Sequence, residues 1–217
     1  MDRLIVYGNG PAAKTVYHYL TGDSPHRVEA FTVDREVIAE PRLFDLPVVP
    51  FDEVERHYPP SEYRMLIAVS YRQVNRLRMA RYEQAKSRGY AFVNYVSSRA
   101  TVCPDLLAGE NCLIGANAVI QHSVRLGKNV VLRDNTFTGH DTVIEDHCYI
   151  GAGVVILGRV RVGPRCLIGA NATIREGVRI GTGCIIGAGV ALLHDAADNE
   201  VYMNRAAQKL PLTSDQL

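Results

Sequence analysis

From Ile114 onward an aliphatic residue returns at every sixth position: Ile114, Ile120, Leu126, Leu132, Thr138, Ile144, Ile150, Ile156, Val162, Ile168, Ile174, Ile180, Ile186 and Leu192, with Thr138 the single polar member. Two places before each stands a small or β-branched residue, among them Cys112, Ala118, Val130, Thr136, Cys148 and Val160. Gly follows directly at 115, 127, 139, 151, 163, 169, 181 and 187. A period of six fits neither the 3.6 of a helix nor the 2 of a flat amphipathic strand. Two inward positions spaced by two need a short strand, and the rest of each hexad must turn a corner. Three hexads then close a triangular coil, and successive coils stack at the sheet spacing of about 4.8 Å. Read with that longer step, positions 117, 135, 153, 171 and 189 hold Asn, Asn, Gly, Asn and Gly. These residues tolerate positive φ, as a repeated corner demands. The pattern predicts a parallel β-helix over residues 96–194, with Val96, Val102 and Ala108 extending the phase backward.

Residue usage changes where the repeat begins. Of the 11 Tyr, nine precede residue 96, whereas 14 of the 18 Gly fall between 96 and 192. We therefore expect two modules, residues 1–95 and 96–194, followed by a tail at 195–217. In the first module, strands are expected at Arg3–Tyr7, 28–33 and 65–70, helices after the Gly8–Lys14 segment to about Leu20 and from about 72 to 88, and a further strand at 91–95. Alternation of this kind implies an α/β unit with a small parallel sheet. The turn Gly8-Asn9-Gly10-Pro11-Ala12-Ala13 is a loose dinucleotide fingerprint, with the acidic Asp34 following at the usual distance. The module is too short for two mononucleotide halves, which argues against NAD. A single half suits a nucleotide-sugar.

Lys plus Arg number 24 and Asp plus Glu 23, a net charge of +1, so no basic excess is available for nucleic acid. No apolar run has the length of a membrane span, and no signal-peptide pattern opens the chain. The five cysteines are odd in number and all lie beyond residue 102, which points to a reducing cytoplasm. Cys112, Cys148, Cys166 and Cys184 share one inward column, and a line of thiols spaced by whole coils cannot converge on one metal ion. No metal site is expected.

The hexapeptide pattern resembles the left-handed parallel β-helix acyltransferases, and the order of modules is similar to the sugar acetyltransferases of the PglD/NeuD type. The resemblance supplies the left hand of the coil, a homotrimer, and acyl-CoA held between neighbouring β-helices. The family segment G-H-[DE]-x-x-[IV]-x-[DE] is matched by Gly139-His140-Asp141-Thr142-Val143-Ile144-Glu145-Asp146. Carried over residue by residue, His140 becomes the general base and Asp141 its partner, and Gly158, one coil above, offers its N–H to the thioester carbonyl. Tyr149, standing where the family has a His near CoA, is assigned with Ala170 and Ala188 to the CoA side. Gly8, Gly10, Pro11, Ala12, Asp34 and Arg35 are assigned to the nucleotide-linked substrate. The family turn G-x-G-G-H-G is altered here at Pro11, Ala12 and Ala13, and the C-terminal G-x-P-A-[KR] segment at Asn204 and Ala206.

The resemblance implies an acetyl-CoA-dependent N-acetyltransferase acting on a nucleotide-linked amino sugar, in lipopolysaccharide or other glycan biosynthesis. The amine attacks the thioester directly while His140 takes the proton. A sugar O-acetyltransferase would use the same base, and a non-catalytic trimeric scaffold with a nucleotide-binding domain is the alternative outside enzymes. His122 is expected beneath His140, one coil away, and His147 reads as a surface residue at another corner.

Overall fold

The structure is a computed structural model that describes residues 2–205. In the N-terminal unit, β1 (Arg3–Tyr7), β2 (Arg27–Val33), β3 (Arg42–Leu43), β4 (Leu46–Pro50), β5 (Arg64–Ile67) and β6 (Ala91–Phe92) form one sheet in the order β3-β4-β2-β1-β5-β6. Helix α1 (Pro11–Asp23) begins with Pro, whose missing N–H is no loss in a first turn. Two more helices follow, α2 (Val54–His57) and α3 (Arg76–Ser87).

The sheet is mixed rather than wholly parallel, because β3 runs antiparallel to β4 with Leu43 opposite Leu46. Phe44 and Asp45 between them both adopt positive φ (50° and 60°), the twist a two-residue hairpin needs. The basic helix also starts later than its sequence suggests. Gln73, Val74 and Asn75 all have positive φ, and this left-handed turn directs the buried Asn75 amide to Cys166 O at 3.0 Å.

Beyond residue 94 the chain winds into three flat parallel sheets. The first face comprises Tyr95–Val96, Leu113–Ile114, Val131–Leu132, Tyr149–Ile150, Leu167–Ile168, Ile185–Ile186 and Val201–Tyr202. The second comprises Thr101–Val102, Val119–Ile120, Phe137–Thr138, Val155–Ile156, Thr173–Ile174 and Ala191–Leu192. The third comprises Leu107–Ala108, Arg125–Leu126, Val143–Ile144, Arg161–Val162 and Arg179–Ile180. Strands pair in strict register with those one coil away, Leu113 with Val131 and Val131 with Tyr149. From residue 111 to 189 a left-handed residue marks each corner, among them Asn117, Ser123 and Asn129, Asn135, Asp141 and His147, and Gly153, Arg159 and Arg165. The hexad ladder fills the prism, with Ile114, Ile144, Ile150, Ile156, Ile168, Ile174 and Ile186 at most 1 % exposed. Each inward thiol of the Cys column donates to a carbonyl across the prism, Cys112 Sγ to Gly127 O at 3.1 Å and Cys166 Sγ to Gly181 O at 3.0 Å.

The N-terminal unit sits on the first face, where Tyr95, Leu113 and Val131 join the same apolar cluster as Leu4, Val6, Leu20 and Phe31. Tyr19 donates to Asp134 at 2.8 Å across this junction. Helix α3 closes on the edge between the third and first faces. Its Arg78 is fully buried and donates to Asn129 O, Asn129 Oδ1 (2.9 Å), His147 O (3.1 Å) and Cys148 O (2.9 Å). Burial lowers this guanidinium to about 10, so it stays charged near neutrality. His147 is accordingly not a surface residue: α3 covers its corner, Tyr82 packs edge-on against its ring, and Asn129 Nδ2 donates to its Nδ1 at 2.9 Å.

Candidate active site

His140 stands on the edge between the second and third faces, immediately after the strand Phe137–Thr138. The corner is tight because residue 139 is Gly. A Cβ there would lie 2.5 Å from Gly158 N and 2.7 Å from Leu157 C, so only Gly lets the next coil close down. Gln121 Oε1 accepts the His140 N–H at 3.0 Å, fixing the backbone from below. Asp141, at φ +56°, turns its carboxylate back toward the ring, and its Oδ2 lies 2.9 Å from His140 Nδ1. This bond, followed by the charge of the ring when protonated, holds the Asp141 carboxyl below the usual carboxylate range. Nδ1 therefore carries the proton when the ring is neutral, which leaves Nε2 as the basic nitrogen.

Two neighbours complete this edge. The His122 ring lies parallel beneath His140, with centroids 5.4 Å apart and planes 12° off parallel. Above, the His140 ring covers the Cα of Gly158: a Cβ on Gly158 would meet His140 Nε2 at 2.6 Å and Cε1 at 2.7 Å. Gly158 is buried, and its N–H has no acceptor among the described residues, whereas equivalent corner N–H groups at Ala116 and Lys128 donate to Asp134 and Asp146. A buried N–H without an acceptor is a donor held ready for one. The edge thus combines an oriented imidazole, a carboxylate that stabilises its cationic form and an unspent backbone donor. That set can deprotonate a nucleophile and stabilise an oxyanion.

A second site lies in the N-terminal unit. A cavity of about 580 Å³ opens over the C-terminal ends of β1 and β2, lined among others by Gly8, Gly10, Pro11, Ala12, Asp34 and Tyr71. Gly8 has φ +132°, and a Cβ would fall 2.7 Å from Ala68 O, so the turn admits no side chain. Asp34 Oδ1 accepts the Tyr7 hydroxyl at 2.9 Å, and its Oδ2 pairs with Arg81. Burial, then the hydroxyl's bond to Asp34, raises the Tyr7 phenol far above its ordinary value. Arg35 does not line this cavity, because Asp52 and Glu53 hold its guanidinium at 2.9 and 2.6 Å.

The remaining candidates lie apart from His140 within the chain. Tyr149 is on the first face, 5.0 Å ring to ring from the cavity's Tyr71, and Arg133 donates to its hydroxyl at 3.4 Å. Ala170 and Ala188 are exposed, one coil apart on the edge between the first and second faces. The cavity faces the side that carries the first face, and His140 occupies the opposite edge of the prism.

Residues 109–140 and 141–176 match the family described as bacterial transferase hexapeptide (six repeats), and 159–194 match the hexapeptide repeat of succinyl-transferase. No curated protein sequence matches the chain. Among solved structures, the chain is similar to a His→Asn variant of perosamine N-acetyltransferase from Caulobacter crescentus, in complex with CoA and GDP-perosamine. Identity is 26 %, 93 % of each chain is covered, and the TM-score is 0.81. The acetyltransferase domain of PglB from Neisseria gonorrhoeae, in complex with acetyl coenzyme A, shares 23 % identity over 92 % of this chain and 94 % of that one, with a TM-score of 0.81. WeeI from Acinetobacter baumannii shares the fold at 19 % identity, 93 % and 96 % coverage and a TM-score of 0.76.

Residues 109–194 carry the hexapeptide repeat of bacterial transferases, and the chain shares its fold with a sugar N-acetyltransferase.

In this acyltransferase two features of the site escape a reading of sequence alone. Gly139 looks like one more repeat glycine, yet its missing side chain keeps the Gly158 N clear. Tyr7 and Arg81, on β1 and α3, grip Asp34 from both sides, and no motif joins three residues so far apart in the chain. Among the described residues, no helix is long and apolar enough to cross a membrane.

Proposed function

We propose that the protein transfers the acetyl group of acetyl-CoA to the amine of a nucleotide-linked amino sugar. The reading is carried by the His140–Asp141 pair packed directly under Gly158. The neutral amine attacks the thioester carbonyl carbon while His140 Nε2 takes its proton. Asp141, bonded to Nδ1, keeps Nε2 aimed outward and stabilises the imidazolium. The Gly158 N–H receives the oxyanion of the tetrahedral intermediate, the C–S bond breaks, and the proton held by His140 passes to the CoA thiolate. Direct transfer needs no acyl-enzyme, in keeping with inward thiols that are committed to carbonyls.

Residues 1–95 would hold the nucleotide through Gly8, Gly10, Pro11, Ala12 and Asp34, and residues 96–194 would carry the chemistry. The tail at 195–217 completes the division. Val201–Tyr202 within it extends the first face, while Ala206 lies outside the described residues. Arg35 would reach the substrate only by leaving Asp52 and Glu53. Because the cavity and His140 occupy opposite sides of the prism, a sugar bound in one chain serves His140 of another. A homotrimer with shared sites would meet this need, with Ala170, Ala188 and Tyr149 of one chain lining the CoA groove beside His140 of its neighbour. Free inward thiols suit a reducing cytoplasm, where precursors of lipopolysaccharide and related glycans are assembled.

The perosamine enzyme, crystallised with CoA and GDP-perosamine, supports this substrate class. The test is thiol release from acetyl-CoA across a panel of nucleotide-linked amino sugars, beside a light-scattering mass. Turnover with at least one such sugar and a mass three times that of the chain are expected. Turnover only with free amino sugars, or a monomer, would overturn the respective claim.

A further inference from the structure

The third face of the prism carries an arginine column that the proposed chemistry leaves without a task. Its outward positions run, in register, Leu107, Arg125, Val143, Arg161 and Arg179. All three arginines are exposed, and among the described residues none of their side chains forms an ion pair or hydrogen bond; the nearest pair on that edge is Arg159–Glu176. Arg161 and Arg179 stand on adjacent strands, a separation of about 4.8 Å at the backbone, so their like charges repel unless an anion lies between them. Asp141 opens into the same cavity of about 450 Å³ as Asp105, Ser123, Arg125, Val143 and Arg161.

The acids of this region are already engaged. Asp105 accepts the Ser123 N–H at 2.7 Å, Asp141 accepts from His140, and Asp195 accepts the Arg179 N–H at 2.8 Å. Glu145, at the far end of the Val143 strand, is the one acid there whose carboxylate has no bond among the described residues. What remains is a pair of guanidinium forks, Arg125 and Arg161, flanking the small Val143 beside the catalytic carboxylate.

We propose that Arg125 and Arg161 clamp the diphosphate of the acyl acceptor. The proposal rests on the sugar-nucleotide reading above. Guanidinium forks match phosphate oxygens two at a time, and the gap over Val143 is about two strand spacings, the width of a bridging anion. Phosphate could also come from CoA, and chain length decides against it. The CoA sulfur is separated from its nearest phosphorus by the whole pantetheine arm, whereas an amine on a pyranose is one ring away from the anomeric phosphate. A phosphate bound next to Asp141 therefore belongs to the ligand whose phosphate lies near its reacting atom. Gripping it there would fix the amine at His140 while the nucleotide remains in the neighbour's cavity.

The experiment compares wild type with Arg125→Gln, Arg161→Gln and the double variant, each checked for unchanged mass and circular dichroism. We expect the KM for the nucleotide-linked sugar to rise at least about tenfold in the double variant, as for loss of a charge-assisted contact, with the KM for acetyl-CoA within about twofold. Arg161→Lys should recover only part of the loss, because it restores charge without the fork. A rise confined to acetyl-CoA would assign the face to the donor and overturn the proposal, and so would no change in either KM. Calorimetry with inorganic pyrophosphate separates this claim from the reading of function. Should no amino-sugar nucleotide be acetylated, pyrophosphate binding that disappears in the double variant still supports the clamp, and unchanged binding overturns it.

Discussion

The His140 imidazole lies flat on the Cα of Gly158, close enough that a single added methyl would meet Nε2 at 2.6 Å. Base and proposed oxyanion donor are thus built as one contact, contributed by two successive coils whose register is fixed by the paired strands Phe137–Thr138 and Val155–Ile156.

Gly158→Ala should therefore damage catalysis without unfolding the prism. The new methyl must push the ring off its position and away from Asp141. We expect kcat to fall by about a hundredfold, the usual worth of a positioned base. Thermal unfolding should shift by only a few degrees. Wild-type kcat with a crystallographically undisplaced His140 would show that this contact is not what positions the ring.

His140→Ala should lower kcat by about a hundredfold or more and leave acetyl-CoA affinity nearly unchanged. Asp141→Asn should cost less, because an amide still bonds Nδ1 yet no longer stabilises the cation. Its carboxyl is held below the usual carboxylate range by the His140 bond, so Asp141 stays ionised into acidic solution. The acid limb of the pH–rate profile should move in Asp141→Asn. Identical profiles for the variant and wild type would remove Asp141 from the reaction.

Asp34→Asn probes the cavity with less disturbance than Ala, since the amide oxygen can still accept from Tyr7. Substrate KM should rise by roughly tenfold, or about 1.4 kcal/mol, with acetyl-CoA KM unaffected. An equal rise in both would point to a displaced α3 rather than a lost ligand contact.

His147 gives the junction of the two units a pH dependence. Burial, and next the positive charge of Arg78, push its imidazole down to about 4. In the unfolded chain the same ring protonates near 6.5. A depressed folded value means the native state binds fewer protons, so stability is full above about 6.5 and is lost as pH falls toward 4. Denaturant midpoints at pH 7.5 and 5.0 should differ more in wild type than in His147→Gln. Equal differences would show that another group governs the acid limb.

Legibility divides along a physical line. Everything set by the period was readable: the inward ladder from Ile114 to Leu192, the positive-φ corners at Asn117, Asn135 and Asn171, and the stacking of His122, His140 and Gly158, all follow from counting in eighteens. What depends on the other unit was not. His147 and Asn129 look like any corner pair until α3 lowers Arg78 onto their carbonyls. The Phe44-Asp45 turn is hidden because one of its two positive φ values falls on Phe44, a bulky residue that seldom adopts one. Arg35 follows Asp34 directly in sequence, yet Asp52 and Glu53 draw it away from the cavity.

The corner rhythm has an evolutionary corollary. Every left-handed residue turns the chain by one third of a revolution, so the edge on which a side chain emerges depends on its count along the repeat. Loss of a single hexad ahead of His140 would rotate it, together with Asp141 and Gly158, onto another edge relative to the N-terminal unit, though the prism itself could still close. Loss or duplication of a full triplet would only shorten or lengthen the rod. Homologues of this chain should therefore differ in height by whole coils, and an odd hexad should be tolerated only beyond the coils that carry His122, His140 and Gly158.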